Sequence, residues 1–92
     1  MRAVQWSSAA RRDLFRLYDF LNDVNPHAAA RVLQRLTAAV RSLPAFPEQG
    51  QPLEDYMPQN VRSLIVGDYE LRYEVDAERI YVVRIWHHRE DR

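Results

Sequence analysis

The sequence contains no cysteine and no lysine, and each absence excludes a class of protein. Without cysteine, neither disulfides nor a cysteine-based metal site can stabilise the fold. Without lysine, the chain has no lysine general base, Schiff-base former or phosphate anchor, and all 13 basic residues are arginines. No apolar run approaches the roughly 20 residues that span a bilayer. The sequence therefore predicts a cytoplasmic protein that does not contact a membrane.

The chain also lacks an excess of charge of either sign. Its 13 basic and 13 acidic residues cancel, which argues against generic binding to polyanions. An apolar fraction of 47% over 92 residues is typical of a folded globule. We therefore expect residues 1–92 to form one domain, with no sequence-specific nucleic-acid binding by the chain alone.

Two amphipathic helices are predicted in the first half of the chain. Ser7 or the serine after it can cap the first helix, whose apolar stripe ends near Asn22. Asn25 and Pro26 suit the cap and first position of a second helix that runs to about Ser42. The stripes comprise Ala10, Leu14, Leu17, Leu21 and Val24 in the first helix, and Ala29, Val32, Leu33, Leu36, Val40 and Leu43 in the second. The short connection predicts an antiparallel helical hairpin.

Alternating patterns predict four strands around this hairpin. A short strand over residues 2–6 precedes the helices, and three strands joined by short turns follow a proline-rich loop over residues 43–59. Tyr69 and Tyr73 alternate with charged residues, which is typical of a sheet with one packed and one wet face. We predict an α+β fold of two layers, β-α-α-β-β-β, with the helical hairpin packed on an antiparallel sheet. We expect the first strand to lie antiparallel beside the last.

The last strand ends in a cluster of aromatic and polar residues. Arg84, Trp86 and His88 alternate, so they are expected on one face of the strand. In one interpretation, Trp86 covers an edge of the core and Arg84 pairs with Glu70 or Glu74 across the strands. In the other interpretation, the cluster is a binding surface, because Trp and Arg are enriched at interface hot spots.

Metal binding and nucleophilic catalysis find little support in the residue spacing. His87 and His88 are adjacent in a strand and point to opposite faces, and His27 is far away along the chain. No serine has the flanking glycines of a hydrolase motif. We therefore expect neither a metal nor a cofactor.

Segments along nearly the whole chain carry a family resemblance. "AARRDLFRLYDFL", "NPHAAARVLQRL", "LPAFPEQG", "VRSLIVGDYELRYEV" and "IYVVRIWHHRED" follow one another in this order. Together they resemble the RelE/ParE superfamily of toxins from type II toxin–antitoxin modules. The matching residues are Ala10, Asp13, Leu14, Asn25, Pro26, Ala29, Pro47, Gly50, Arg62, Tyr69, Tyr73, Arg84, His87 and Arg89. The resemblance implies the βααβββ fold and a cognate antitoxin as partner, expected to be ParD-like with a ribbon-helix-helix domain.

The same resemblance implies one of two activities. RelE-like members cleave mRNA on the ribosome with strand lysines and arginines and a late Tyr or His, whereas ParE-like members lack that set and inhibit DNA gyrase. This chain has no lysine, and Glu70 stands where the nucleases commonly have arginine, so its carboxylate would repel a scissile phosphate. The resemblance therefore favours a ParE-like gyrase inhibitor that is not an enzyme. The alternatives are a ribosome-dependent mRNA endonuclease, with Arg89, His87 and His88 as its groups, and a non-toxic antitoxin-binding module.

The candidate interaction residues fall into two groups. We predict that the end of the last strand contacts the target through Arg84, Trp86, His87, His88 and Arg89. We expect a flexible antitoxin segment to lie against the helical hairpin and to pair its carboxylates with arginines. The residues predicted for that contact are Leu17, Leu21, Arg31 and Arg35.

Overall fold

The computed structural model describes residues 2–88. Within that range the chain forms two helices, α1 and α2, and five strands, β1 to β5. Their bounds in chain order are β1 Ala3–Trp6, α1 Ser8–Val24, α2 Pro26–Ser42, β2 Gln51–Pro52, β3 Asn60–Val66, β4 Tyr69–Val75 and β5 Arg79–His87. The predicted helices and the three-stranded meander are confirmed, whereas β2 and a 3-10 turn at Glu54–Tyr56 were not predicted within the loop. No helix in this range is long and apolar enough to cross a membrane.

Side-chain caps fix the ends of the helical hairpin. The Ser7 hydroxyl accepts a hydrogen bond from the Ala10 N–H at 2.9 Å, as expected for an N-cap. Asn25 serves both helices, because its backbone N–H donates to the Leu21 carbonyl at 2.7 Å and closes α1. Its side-chain oxygen accepts from the N–H of His27 at 3.1 Å and so opens α2. One residue therefore forms the corner, and α1 continues two residues beyond the predicted end at Asn22.

Both helices pack their apolar stripes on one face of the sheet. The core contains Ala10 and Leu17 from α1 and Leu36, Val40 and Leu43 from α2. On the sheet side, the core residues are Tyr69, Leu71, Tyr73, Val75, Ile80, Val82 and Ile85. One stripe residue was predicted wrongly, because Val24 is 74% exposed at the last position of α1, where the chain turns toward α2.

The sheet has the strand order β1-β5-β4-β3-β2. The prediction that β1 lies beside β5 is confirmed, but the predicted antiparallel direction is wrong, because the two strands run parallel. The unpredicted strand β2 explains the difference. It runs antiparallel to β3, with Gln51 opposite Ser63, so the chain crosses back along the sheet before β3 begins. That extra crossing reverses β3, and with it β5.

A β-bulge changes the direction of the side chains late in β5. Tyr73 lies opposite Val82, but the preceding residue of β4, Arg72, lies opposite Arg84, so Val83 is an extra residue. Before the bulge, the even-numbered Val82 faces the core, and after it the odd-numbered Ile85 does so. The bulge therefore determines which side chains at the end of β5 face the helices.

A buried tyrosine holds the long loop against the sheet. The Tyr73 hydroxyl donates to the Pro47 carbonyl at 2.7 Å and accepts from the Gly50 N–H at 2.8 Å. A Cβ atom at Gly50 would lie 2.8 Å from that hydroxyl oxygen, so only glycine fits there. Burial raises the pKa of Tyr73, which favours the neutral phenol that makes both bonds.

Leu36 provides a test of the packing between hairpin and sheet. Its side chain is 1% exposed in the core, so Leu36→Ala should lower the free energy of unfolding by about 2–5 kcal/mol through lost burial and the cavity left behind. Arg31→Ala, on the exposed side of the same helix, should change it by no more than about 0.5 kcal/mol. Urea unfolding of both variants measures the difference, and equal losses would show that the apolar face of α2 is wrongly placed.

Candidate functional site

A buried carboxylate joins α1 to the end of β5. Asp13 is 3% exposed, and its two oxygens accept hydrogen bonds from Arg84 Nε at 2.7 Å and Arg84 Nη2 at 3.1 Å. The Ile85 backbone N–H donates to the same carboxylate at 2.9 Å, and Arg16 approaches it at 3.4 Å. This two-pronged arginine–carboxylate geometry is the strongest form of such a contact. The expected pairing of Arg84 with Glu70 or Glu74 is therefore wrong, because the guanidinium reaches α1 instead.

The contact exists because β1 is shorter than β5. The ladder between them ends with Trp6 opposite Val82, which leaves the β5 edge beyond that point without a strand partner. The Ser7 hydroxyl donates to the Val83 carbonyl at 2.7 Å, and Asp13 accepts from the next free N–H, at Ile85. The first turns of α1 thus replace β1 along the β5 edge and satisfy its backbone groups.

The environment of Asp13 keeps it ionised. Burial alone would raise the pKa of this carboxyl, but the Arg84 hydrogen bonds, the Ile85 N–H and the nearby positive charge together hold the pKa below its usual value of 3.8. A buried acid with several donors is thus a stable anion at neutral pH.

Trp86 lies on the opposite face of the sheet, away from the helices. It stands opposite Glu70 in the register, and the Arg72 guanidinium packs 4.8 Å from its ring centroid. Arg72 also donates to the Tyr56 hydroxyl at 3.0 Å and lies 3.7 Å from the Glu70 carboxylate. Trp86 is only 5% exposed, so little of its ring is open to a partner, and its role as a target contact stays a prediction. Truncating Trp86 would also disturb its stack with Arg72.

His87 faces the helices and forms part of a groove. Its ring meets the Tyr69 ring edge-on, with the ring centroids 5.2 Å apart. The groove runs between the hairpin and the ends of β4 and β5. It is lined by Arg16, Leu17, Phe20 and Leu21 of α1, Val32 and Arg35 of α2, and Asp68, Tyr69 and His87 of the sheet.

The groove brings together residues from both predicted interaction groups. Leu17, Leu21 and Arg35, predicted for the antitoxin, line it together with His87, predicted for the target. Arg31 is exposed on α2 but does not line it. These roles stay predictions, and the structure shows only that four of the residues share one surface.

The remaining target candidates are His88 and Arg89. His88 is exposed, and its backbone N–H donates to the Asp68 carbonyl at 2.8 Å. Arg89 lies outside the described residues. Within residues 2–88, no three His, Asp or Glu side chains come close enough together to hold a metal ion.

Known proteins match this chain over nearly its whole length. The sequence pattern of the ParE toxin of the type II toxin–antitoxin system parDE matches residues 4–92. Toxin RelE2 of Caulobacter vibrioides is 33% identical over 95% of this chain and 96% of that protein. Toxin RelE1 of the same organism is 34% identical over 94% and 92%. A solved structure of a chromosomal ParDE system from P. aeruginosa superposes with a TM-score of 0.78 at 24% identity, over 95% of this chain and 96% of the other.

The chain belongs to the ParE toxin family. The resemblance inferred from its sequence segments is thereby confirmed, as is the α+β fold of two helices on a sheet. As a member of this family, the protein is the toxin of a type II toxin–antitoxin system, and its family implies an antitoxin as partner.

Sequence reasoning overlooked the structural role of Asp13 in this ParE-family toxin. Asp13 was noted for its place in the family pattern. A stronger signal was available, because Asp13 falls three residues after Ala10 and four before Leu17, on the apolar face of α1. A charged residue there needs a partner, although the sequence alone did not indicate which arginine would provide it. Phe20 and Asp68 of the groove were also missed.

The Asp13 contact predicts a stability difference between two matched variants of the ParE-family toxin. Asp13→Asn keeps the shape but removes the charge that Arg84 and Ile85 bind, so the free energy of unfolding should fall by about 1.5–3 kcal/mol at neutral pH. Asp19→Asn, on the exposed side of the same helix, should change it by less than about 0.5 kcal/mol. Urea unfolding measures both values.

Acid should abolish the stabilisation that the Asp13 carboxylate gives to the folded chain. Because its pKa is lower in the folded chain than the usual 3.8, the carboxylate contributes its full stability above that pH. The contribution is lost as the pH falls from there through the lowered pKa. The difference in free energy of unfolding between wild type and Asp13→Asn should therefore become smaller on acidification. A difference that does not change with pH would contradict the stabilising role of the ionised Asp13.

Proposed function

We propose that this ParE-family toxin inhibits DNA gyrase by binding to it, performs no chemistry itself, and is neutralised by a ParD-like antitoxin with a ribbon-helix-helix domain. The observation that carries the proposal is that every arginine within the described strands contacts another group of its own chain. A nuclease needs cations aimed at the scissile phosphate and groups that transfer protons. Arginines that are already bound to their own chain supply no such cations.

The bound arginines come from three different strands. Arg62 donates to the Gly50 carbonyl at 2.8 Å, and Arg79 contacts the Asp76 carboxylate at 3.4 Å. Arg72 stacks on Trp86, and Arg84 is held by Asp13. Lysine is absent, and the chain has no net charge. A surface of this kind suits a protein target better than ribosomal RNA.

One observation favours the ribosome-dependent mRNA endonuclease as a second candidate. His87 lines the same groove as Arg16 and Arg35, so an imidazole and two guanidinium groups belong to one surface. Two relatives at 33% and 34% identity also carry the name RelE. In that case His87 would transfer a proton, and its replacement would abolish activity.

The groove is the proposed antitoxin site. Its apolar walls are formed by Leu17, Leu21 and Val32, and Arg16 and Arg35 lie in its lining. An antitoxin segment with apolar side chains and flanking carboxylates would match this chemistry, and folding on binding would allow it to cover a large surface. Because His87 lies in the same groove, an antitoxin bound there would also cover a predicted target contact. Gyrase and the antitoxin would both meet the toxin in the cytoplasm.

The purified toxin should inhibit gyrase supercoiling and leave mRNA on translating ribosomes intact. His87→Gln should retain most of that inhibition, because the amide offers similar hydrogen bonds and no proton transfer is needed. Supercoiling and ribosomal cleavage assays are run side by side, with induction of the SOS response on expression as the cellular measurement. If mRNA is cut, and cutting disappears in His87→Gln while gyrase is unaffected, the endonuclease is the correct function. If neither target responds, the chain is a non-toxic binding module.

Two arginines of α2 provide a matched test of the antitoxin groove. Arg35 lines the groove and Arg31 does not, so Arg35→Glu should weaken antitoxin binding by about 10-fold or more through like-charge contact with antitoxin carboxylates. Arg31 was predicted for the same contact from the sequence but lies outside the groove, so Arg31→Glu should change the dissociation constant much less if the groove is the antitoxin site. Salt should weaken binding of the wild type more than that of Arg35→Glu, because the variant has lost an attraction that salt screens. Equal effects of the two substitutions would place the antitoxin elsewhere.

A further inference from the structure

The outward face of α1 carries charges in a self-complementary order. Arg12, Arg16, Asp19 and Asp23 are all exposed and follow one another in steps of four, three and four, so they form one stripe along the helix. Its first half is basic and its second half acidic. The opposite side of α1 is buried against the core through Ala10 and Leu17.

These charges are arranged unfavourably for an isolated helix. Arg12 lies toward the positive end of the helix dipole and Asp23 lies in the last turn, at the negative end, which is the unfavourable order. Within residues 2–88, no ion pair joins Arg12, Asp19 or Asp23 to another side chain. Arg16 has the Asp13 contact at 3.4 Å, but its side chain remains 46% exposed. The stripe is therefore complementary to a partner with the reverse order of charges.

We propose that this partner is a second copy of the chain, packed α1 against α1 in antiparallel orientation around a two-fold axis. With the axis midway between residues 17 and 18, Arg12 of one copy lies opposite Asp23 of the other. Arg16 likewise lies opposite Asp19, and the symmetry makes each contact twice. The antiparallel alignment also brings opposite ends of the two helix dipoles together.

Two exposed phenylalanines supply the apolar part of this contact. Phe15 and Phe20 are 70% and 67% exposed, and they lie on the two sides of the charged stripe. In a two-fold antiparallel pair, residues on one side of the stripe meet the same residues of the other copy. Phe15 is therefore beside its counterpart, and so is Phe20. Aromatic residues next to arginines are enriched at binding hot spots.

The expected dimer is weak. A helix of 17 residues is about 26 Å long, and contact along one such helix buries less than the roughly 800 Å² per partner of a standard stable interface. Solvent-exposed ion pairs add little to that contact and are screened by salt. Dimerisation in the micromolar range or above, weakened by added salt, is the expected behaviour.

Charge reversal with complementation tests the assignment. Sedimentation velocity of the purified chain, from about 10 μM to about 1 mM, should show the mass rising from 10.9 kDa toward twice that value. Arg12→Asp and Asp23→Arg should each weaken dimerisation by about 10-fold or more, because each places like charges opposite one another. An equimolar mixture of the two variants should associate as the wild type does, since every pair in the mixed dimer is again of opposite sign.

Loss of the fold would not account for weaker dimerisation of the two charge-reversal variants. Arg12→Asp and Asp23→Arg each move the helix charges toward the order that the dipole favours, and circular dichroism checks that the fold is retained. Arg31→Asp, exposed on α2, is the control that should leave dimerisation unchanged. A wild-type chain that stays monomeric at every concentration tested would overturn the proposal, and the outward face of α1 would then bind a different partner. A dimer that survives both reversals, or a mixture that fails to restore it, would also overturn the proposal.

Discussion

The carboxylate of Asp13 is the contact on which the arrangement of the candidate site depends. It binds Arg84 twice and accepts the Ile85 N–H, so it holds the start of α1 against the end of β5 after the β1 ladder has stopped. One wall of the groove is α1, and His87 follows two residues after Ile85. The position of the helix and the direction of the last strand are therefore set by the same buried ion. Replacing Arg84 alone would leave the buried Asp13 charge without its main partner.

The absence of lysine noted from the sequence is consistent with how the sheet uses its cations. Arg84 needs a planar fork to bind both oxygens of Asp13, and Arg72 needs a flat group to stack between Trp86 and Tyr56. A lysine ammonium provides neither geometry, because it is a compact and strongly hydrated point charge. The strand arginines thus act as structural ligands that connect helix, loop and sheet.

Local patterns were sufficient to predict much of the fold. The caps at Ser7 and Asn25, the apolar stripes of both helices apart from Val24, and the core positions of Tyr69 and Tyr73 depend on neighbours in sequence, and the structure confirms them. The direction of β1 was predicted wrongly because it depends on β2, two residues within a loop that has no alternating pattern. The Asp13–Arg84 contact joins positions 71 residues apart. Periodicity indicates which residues are buried, but not which distant partner satisfies a buried charge.

The pairing of the first strand with the last has a consequence for synthesis of the toxin. Ribosomes make a chain from its N-terminus, and β1 can find its neighbour only after β5 has emerged. Until then, the β1 edge is open, and Asp13 has no Arg84 to bind. Contacts between residues far apart in sequence also slow folding, because a long loop must close before they form. A nascent chain therefore lacks the assembled groove until β5 has been made.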